Sequence, residues 1–345
     1  VEEEGLSVLE ATGAEDGESL IASDPSIGCV LVGWHFGPHA ERDPHTAAGL
    51  IERTRAHNGS LPIFILTDRT QLQAIPLDVI RVVTGYVWKL EDTADFIAGR
   101  VANAVKAYLR SIMPPFFGEL VRFAEDYEYS WHTPGHSGGT AFLKSPTGIA
   151  FHEFYGETML RSDLSVSVPQ LGSLMEHSGV VGEAERAAAK VFGADATYFV
   201  TNGTSSANKM VLHGCVTPGD VVLVDRNCHK SLQHALTMTG AIPVYLIPSR
   251  NHYGIIGPIH SSEFQPETIQ AKLADNPLVE GNGDVGAALA VVTNSTYDGL
   301  CYDVQTTTEL LGQSVDRVHF DEAWFGYAAF GPMYEGRYGM HRGPR

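Results

Sequence analysis

Two rhythms of apolar residues alternate along this chain. Short runs rich in β-branched residues occur at 27–34 (IGCVLVGW) and 61–66 (LPIFIL), each with the length and composition of a buried parallel strand. Between them, His45 to His57 is a helix candidate. Residues 93–110 place Phe96, Val101, Ala104, Val105 and Tyr108 at helical spacing, and Thr93 stands where it can cap the first turn. This alternation predicts a small α/β unit over about residues 1–110. The unit invites comparison with a response-regulator receiver, which needs a phosphoacceptor Asp at a strand end. Here the strand ending VLVGWH offers Gly33 and Trp34 instead. Thr67 and Lys89, which could mimic other receiver positions, then read as ordinary surface residues. The expectation is a receiver-shaped domain without phosphotransfer.

Residues 113–135 break the rhythm: Pro114-Pro115, an apolar-aromatic helix, then Pro134-Gly135, which together read as a linker with one hydrophobic face. Beyond it the alternation returns with longer units. Strands are expected at 197–201, 221–225, 243–247, 288–293 and 317–321, with helices at 182–192, 204–215, 229–239, 266–275 and 305–313. That order predicts a mainly parallel, doubly wound sheet. Ligands in such sheets sit at the carboxyl ends of strands.

Composition narrows the picture. A chain of 345 residues suggests roughly two domains, and 43% hydrophobic with 19% charged content suits a globular core. The longest apolar runs fall well short of the ~18 residues of a membrane span. Val1-Glu-Glu-Glu has no basic n-region, so a signal peptide is not expected. Cys29, Cys215, Cys228 and Cys301 lie far apart without CxxC spacing, which points to reduced thiols and a cytoplasmic home. The net charge of −18 repels nucleic acid and acidic membranes and attracts small cations, though solubility alone would explain it. Among 15 scattered histidines, His132 and His136 share helical spacing, but Pro134 and Gly135 between them forbid a ligand helix. No metal is expected.

Three strand ends carry candidate chemistry. In Thr201-Asn202-Gly203-Thr204-Ser205-Ser206 a strand meets a Gly turn, and hydroxyl residues open a helix. The free N–H groups and dipole there favour an anion, although plain N-capping would use the same residues. Asp225-Arg226-Asn227-Cys228-His229 follows VVLV, and an imidazole at that edge could stack on a planar ring, move a proton or serve structure alone. His319-Phe320-Asp321-Glu322-Ala323-Trp324 ends an apolar strand in a carboxylate. Such a group is costly to bury unless it meets a cation; a helix cap is the plainer alternative.

Taken in this order, the three ends resemble the large domain of fold-type-I pyridoxal 5'-phosphate (PLP) enzymes. The segments 129–147 (YSWHTPGHSGGTAFLKSPT), 161–179 (RSDLSVSVPQLGSLMEHSG), 201–209 (TNGTSSANK), 225–231 (DRNCHKS), 293–299 (TNSTYDG) and 319–324 (HFDEAW) closely resemble the bacterial lysine/arginine/ornithine decarboxylases of the PLP class. The resemblance implies a flavodoxin- or receiver-like wing domain over 1–112, a linker over 113–135 and a PLP-binding large domain over 136–345, incomplete at its C-terminus. It assigns phosphate contacts to Thr204, Ser205 and Ser206, ring stacking to His229 and the ring-nitrogen contact to Asp321. Ala323 and Trp324 would line the ring pocket, Ser295 would approach the cofactor hydroxyl, and His132 and His136 would lie near the active-site entrance. The family's Schiff-base lysine follows the Asp-x-Ala-Trp motif, whereas the last lysine here is Lys272, so the resemblance implies a chain that stops before it. The implied reaction converts a basic amino acid to its amine and CO2, consuming a proton. The implied assembly is a homodimer that builds larger rings, up to a decamer. Another fold-type-I activity, or a non-catalytic partner of such enzymes, is the competing reading. The TNGTSSANK spelling leans toward the lysine members.

Overall fold

The computed structural model describes residues 5–34, 45–126, 131–165, 168–279 and 286–341. They fall into two compact units, Val1–Leu171 and Gly172–Arg345.

The first unit runs α1 (Ala14–Ser23), β1 (Val30–Gly33), α2 (His45–His57), β2 (Ile63–Thr67), α3 (Leu77–Val82), β3 (Gly85–Trp88), α4 (Ala94–Ile112), α5 (Pro115–Glu125), α6 (Pro146–Tyr155) and α7 (Glu157–Arg161). The strands form a parallel sheet in the order β1-β2-β3. Alternate residues of β2 serve opposite faces. Ile63 and Ile65 join Val32, Leu50 and Ile51 in one cluster, while Phe64 packs with Val87, Val101 and Val105 from β3 and α4. Thr93 does cap α4, accepting from the Phe96 N–H at 3.3 Å. β3 escaped the sequence pattern because it opens on Gly85 and buries only Val87; pairing to β2 defines it. Thr67 is a correction: it is fully buried at the end of β2, its hydroxyl 3.3 Å from Gln71 Oε1, and is no surface residue. Lys89 is exposed as expected.

The second unit runs α8 (Gly179–Phe192), α9 (Thr204–Cys215), β4 (Val221–Asp225), α10 (Lys230–Thr239), β5 (Ile242–Leu246), β6 (Pro248–Arg250), β7 (Ile256–Ile259), α11 (Pro266–Asp275), β8 (Leu289–Thr293), α12 (Val304–Leu311) and β9 (Val318–Asp321). Four strands pair in parallel in the order β5-β4-β8-β9, and β6 and β7 form a separate antiparallel hairpin. The sheet is buried on both faces, which is why its strands read as unbroken apolar runs. Val222, Val224, Leu289 and Val291 face Leu212 of α9 and Leu232, Ala235 and Leu236 of α10. Val221, Leu223, Ala290 and Val292 face Ile269 and Leu273 of α11 and Leu311 of α12. The chain leaves β4 in one direction for β5 and returns to its other side for β8. That reversal places a switch point at the carboxyl ends of β4 and β8.

The strand expected at 197–201 does not form among the described residues. Its backbone bonds to a side chain instead: the Phe199 N–H donates to Glu185 Oε1 of α8 at 2.9 Å, and Tyr198 is exposed. Apolar β-branched composition was satisfied without a neighbouring strand.

Candidate active site

The site grows from the carboxyl edge of the second sheet. Gly203 precedes α9 with φ +75°, a left-handed conformation that suits glycine, and contributes no side-chain cap. Thr204, Ser205 and Ser206 are therefore first-turn residues, not caps. The first N–H groups of a helix lack the usual acceptor one turn back, and three hydroxyls stand among them; the Ser206 N–H turns to the Gly203 carbonyl at 2.9 Å.

One turn further, Asn208 is almost fully buried at 1% exposure. Its amide nitrogen donates to Asp321 Oδ2 at 3.0 Å and to Ser231 Oγ at 3.1 Å. Both hydrogens are thereby used, so Oδ1 is the acceptor and takes the His319 Nε2–H at 2.9 Å. Ser231 passes the chain on: its hydroxyl lies 2.8 Å from His229 Nδ1, and its backbone N–H donates to the same nitrogen at 3.2 Å. A backbone N–H can only donate, so Nδ1 of His229 accepts and its ring proton belongs on Nε2. Three chain-distant segments thus meet through hydrogen bonds.

Asp321 ends β9 and is buried at 4% exposure. It is not a helix cap. Asn208 holds Oδ2, while Oδ1 is buried with no hydrogen-bond partner among the described residues. A buried carboxylate oxygen left bare costs about 1–3 kcal/mol or more, so this atom is shaped for a donor that approaches from the site. The protonated nitrogen of a pyridine ring is such a donor, and the residues present fit PLP in this respect. His319, next but one along the strand, is pushed down by burial, against the pull of Asp321. It therefore stays neutral rather than competing with a ligand cation for Asp321.

Ser295 follows β8, whose Thr293 is in register with Asp321. It is buried, and its hydroxyl donates to the Thr296 carbonyl at 3.0 Å. Beside it, Asn294 donates to Glu322 Oε1 at 2.6 Å and accepts the Tyr302 N–H at 3.1 Å. Burial pushes the Glu322 carboxyl up to about 7, against bonds from the Gly339 N–H and Asn294. Ala323 and Trp324 are exposed, with the indole parallel to the Tyr297 ring at 6.5 Å between centroids. In the first unit, His136 Nε2 lies 3.1 Å from Asp163 Oδ2, and His132 Nδ1 lies 2.6 Å from the Thr133 carbonyl. Among the described residues no group of three or more His, Cys, Asp or Glu could hold a metal, and no helix is long and apolar enough to cross a membrane.

Sequence reading missed Asn208, Ser231, Asn294 and Glu322. Asn208 left a trace: it sits four residues before the core residue Leu212, a polar side chain on the buried stripe of α9.

Comparison with known proteins completes the picture. A family model described as the Orn/Lys/Arg decarboxylase major domain matches residues 114–344, and one described as the N-terminal domain of the same family matches 1–108. The chain is 49% identical over 343 residues to the lysine decarboxylase LdcA of Pseudomonas aeruginosa, and 42% identical over 349 residues to the biodegradative arginine decarboxylase of Escherichia coli. Each match covers 99% of this chain and 46% of the relative. The solved structure of lysine decarboxylase A from Pseudomonas aeruginosa superposes with a TM-score of 0.84 at 48% identity, over 99% of this chain and 46% of that one. The chain thus spans about half the length of these relatives.

Proposed function

The chain belongs to the Orn/Lys/Arg decarboxylase family, and from that premise we propose that it supplies the cofactor-binding core of a PLP-dependent decarboxylase acting on a basic amino acid. The observation that carries the reading is Asp321: buried at the sheet's carboxyl edge, one oxygen held by Asn208, the other without a partner among the described residues. PLP, when bound, supplies a protonated pyridine ring that takes up the electron pair left as CO2 departs.

The chain's own residues would do the following. Asp321 Oδ1 accepts the ring N–H and keeps that proton in place. Thr204, Ser205 and Ser206, with the first N–H groups of α9, hold the phosphate at the positive end of the helix. His229, fixed at Nδ1 by Ser231, presents its imidazole face to the ring. Ser295 at the end of β8 and Ala323 and Trp324 after β9 border the same sheet edge.

Lysine, arginine and ornithine are the substrate candidates, with lysine favoured by the TNGTSSANK spelling and by the 49% identity to a lysine decarboxylase. The reaction consumes a proton. The proposed division is a wing domain over 1–112, a linker over 113–135 and a large domain from 136; the family matches at 1–108 and 114–344 support a boundary near residue 112. A cytoplasmic homodimer, assembling further into rings, is the expected form. The half-exposed Phe116 and Phe117 of α5 suit an interface.

The test is Asp321→Ala in the full-length enzyme. Losing the ring-nitrogen partner should lower kcat roughly 100-fold or more, as for other groups aimed at developing charge. The fold, followed by circular dichroism, should persist. A near-normal kcat with bound PLP would remove Asp321 from the role and the reading with it.

A further inference from the structure

We propose that Asn208 is the positioning residue of this site, a single buried amide that donates to the Asp321 carboxyl and ties it to the imidazole of His229; the proposal rests on the PLP reading above. The argument begins with donors. Asp321 has two carboxyl oxygens at the end of β9, and among the described residues only one of them is met, by Asn208 Nδ2 at 3.0 Å. A hydrogen bond donated to the charged form of an acid favours that form. This matters because a proton between Asp321 and a ring nitrogen has two resting places. On the ring it leaves a carboxylate facing a pyridinium; on the carboxyl it leaves two neutral groups and no electron sink. The Asn208 N–H favours the first arrangement because it stabilises the carboxylate and gives a neutral carboxyl less.

The amide cannot turn around. The backbone N–H of Ser231 makes His229 Nδ1 an acceptor, so the Ser231 hydroxyl spends its hydrogen there and can only accept from Asn208; a flipped amide would set Oδ1 against it. Ser231 is thus the pin that keeps the donor pointed at Asp321, and His319, kept neutral by burial, donates its Nε2–H to the Oδ1 that this orientation turns toward it. The second amide hydrogen goes to Ser231 Oγ at 3.1 Å, so that hydroxyl turns its own hydrogen to His229 Nδ1 at 2.8 Å. The network has a direction: Asn208 donates to Ser231, and Ser231 donates to His229. His229 is left with its proton on Nε2. One residue, at 1% exposure and four positions after Thr204, therefore connects the anion end of α9, the ring-nitrogen partner and the stacking imidazole. Leucine has nearly the same size but none of these donors.

The experiment uses the full-length holoenzyme, reconstituted with PLP carrying an isotopic label at the ring nitrogen and read by solid-state NMR. The wild type should show a protonated ring nitrogen, and Asp321→Ala a neutral one. Asn208→Leu should shift the balance between ring-protonated and carboxyl-protonated forms roughly ten- to a hundredfold toward the carboxyl, the worth of one hydrogen bond to a charged group. A neutral ring nitrogen in the wild type, or a protonated one in Asp321→Ala, would overturn the assignment of Asp321 and this proposal with it. If those two behave as stated and Asn208→Leu keeps the wild-type signal, the proposal about Asn208 alone is overturned. A second measurement needs no variant: label the histidines of the wild type and record their ring nitrogens at about pH 8, above the ordinary range of imidazole. His229 and His319 should each carry a single proton, on Nε2. A proton on Nδ1 of His229 would break the chain from Asn208 and overturn the proposal.

Discussion

Glu322 gives the sharpest prediction, because burial and a raised carboxyl coincide there. Its Oε1 accepts from Asn294 Nδ2 at 2.6 Å and from the Gly339 N–H at 2.8 Å, and burial moves the carboxyl from an ordinary 4.5 up to about 7. A carboxyl raised in the folded state binds its proton more tightly there than in the unfolded chain. Stability then falls as pH rises from about 4.5 to about 7 and stays at the lower level above that. The full difference is on the order of 3 kcal/mol, at 1.36 kcal/mol per pH unit. Glu322→Gln mimics the protonated carboxyl in shape and keeps Oε1 as acceptor for both donors. The variant should match the wild type near pH 4.5 and exceed it near pH 8, by up to roughly 6–12 °C in Tm for a unit of this size. Thermal melts of the full-length wild type and variant across that pH range measure it. An offset that is the same at both ends, or larger in acid, would refute the reasoning.

Three further outcomes are expected. Gly172 has φ +77°, and a Cβ there would run into the Ser178 carbonyl, so Gly172→Ala should cost about 2 kcal/mol or more, read as a lower Tm. Asp303 caps α12 by accepting the Thr306 N–H at 2.8 Å, so Asp303→Ala should cost ~1 kcal/mol at neutral pH. Because that bond holds the Asp303 carboxyl below its ordinary range, the cost should fade as pH falls through the folded value, and urea melts at neutral and acid pH would show a constant cost if this is wrong. A net charge of −18 opposes association, so light scattering of the full-length protein should show larger oligomers toward about pH 5.5, or with added salt that screens over ~10 Å; a size indifferent to both would exclude charge control.

Elements whose signal is local were legible in the chain. The helix expected at 204–215 is α9 without change, 266–275 is α11, and 221–225 is β4. Each has a strong period or an unbroken apolar run bounded by turn residues. Elements defined by pairing alone were not: β3 opens on Gly85 and buries one residue, the β6–β7 hairpin carries Pro248 and Pro258, and 197–201 has strand composition without a strand partner. The candidate residues were legible for a similar reason, since His229 and Asp321 stand where apolar strands stop and Gly203 where an apolar run meets a helix.

By itself, then, the sequence determined the α/β alternation, the two-sided burial of the central strands and the polar residues placed at their carboxyl ends, because hydrophobic period and turn chemistry act over a few neighbouring residues. Only the tertiary structure decided what those residues do to one another. Asn208 and Asp321 are 113 positions apart, and Asn208 and Ser231 are 23 apart, yet one amide binds both. A buried polar group must find its partners wherever packing brings them, and no local pattern announces which they will be. The free oxygen of Asp321, the fixed tautomer of His229 and the raised carboxyl of Glu322 all follow from that non-local requirement.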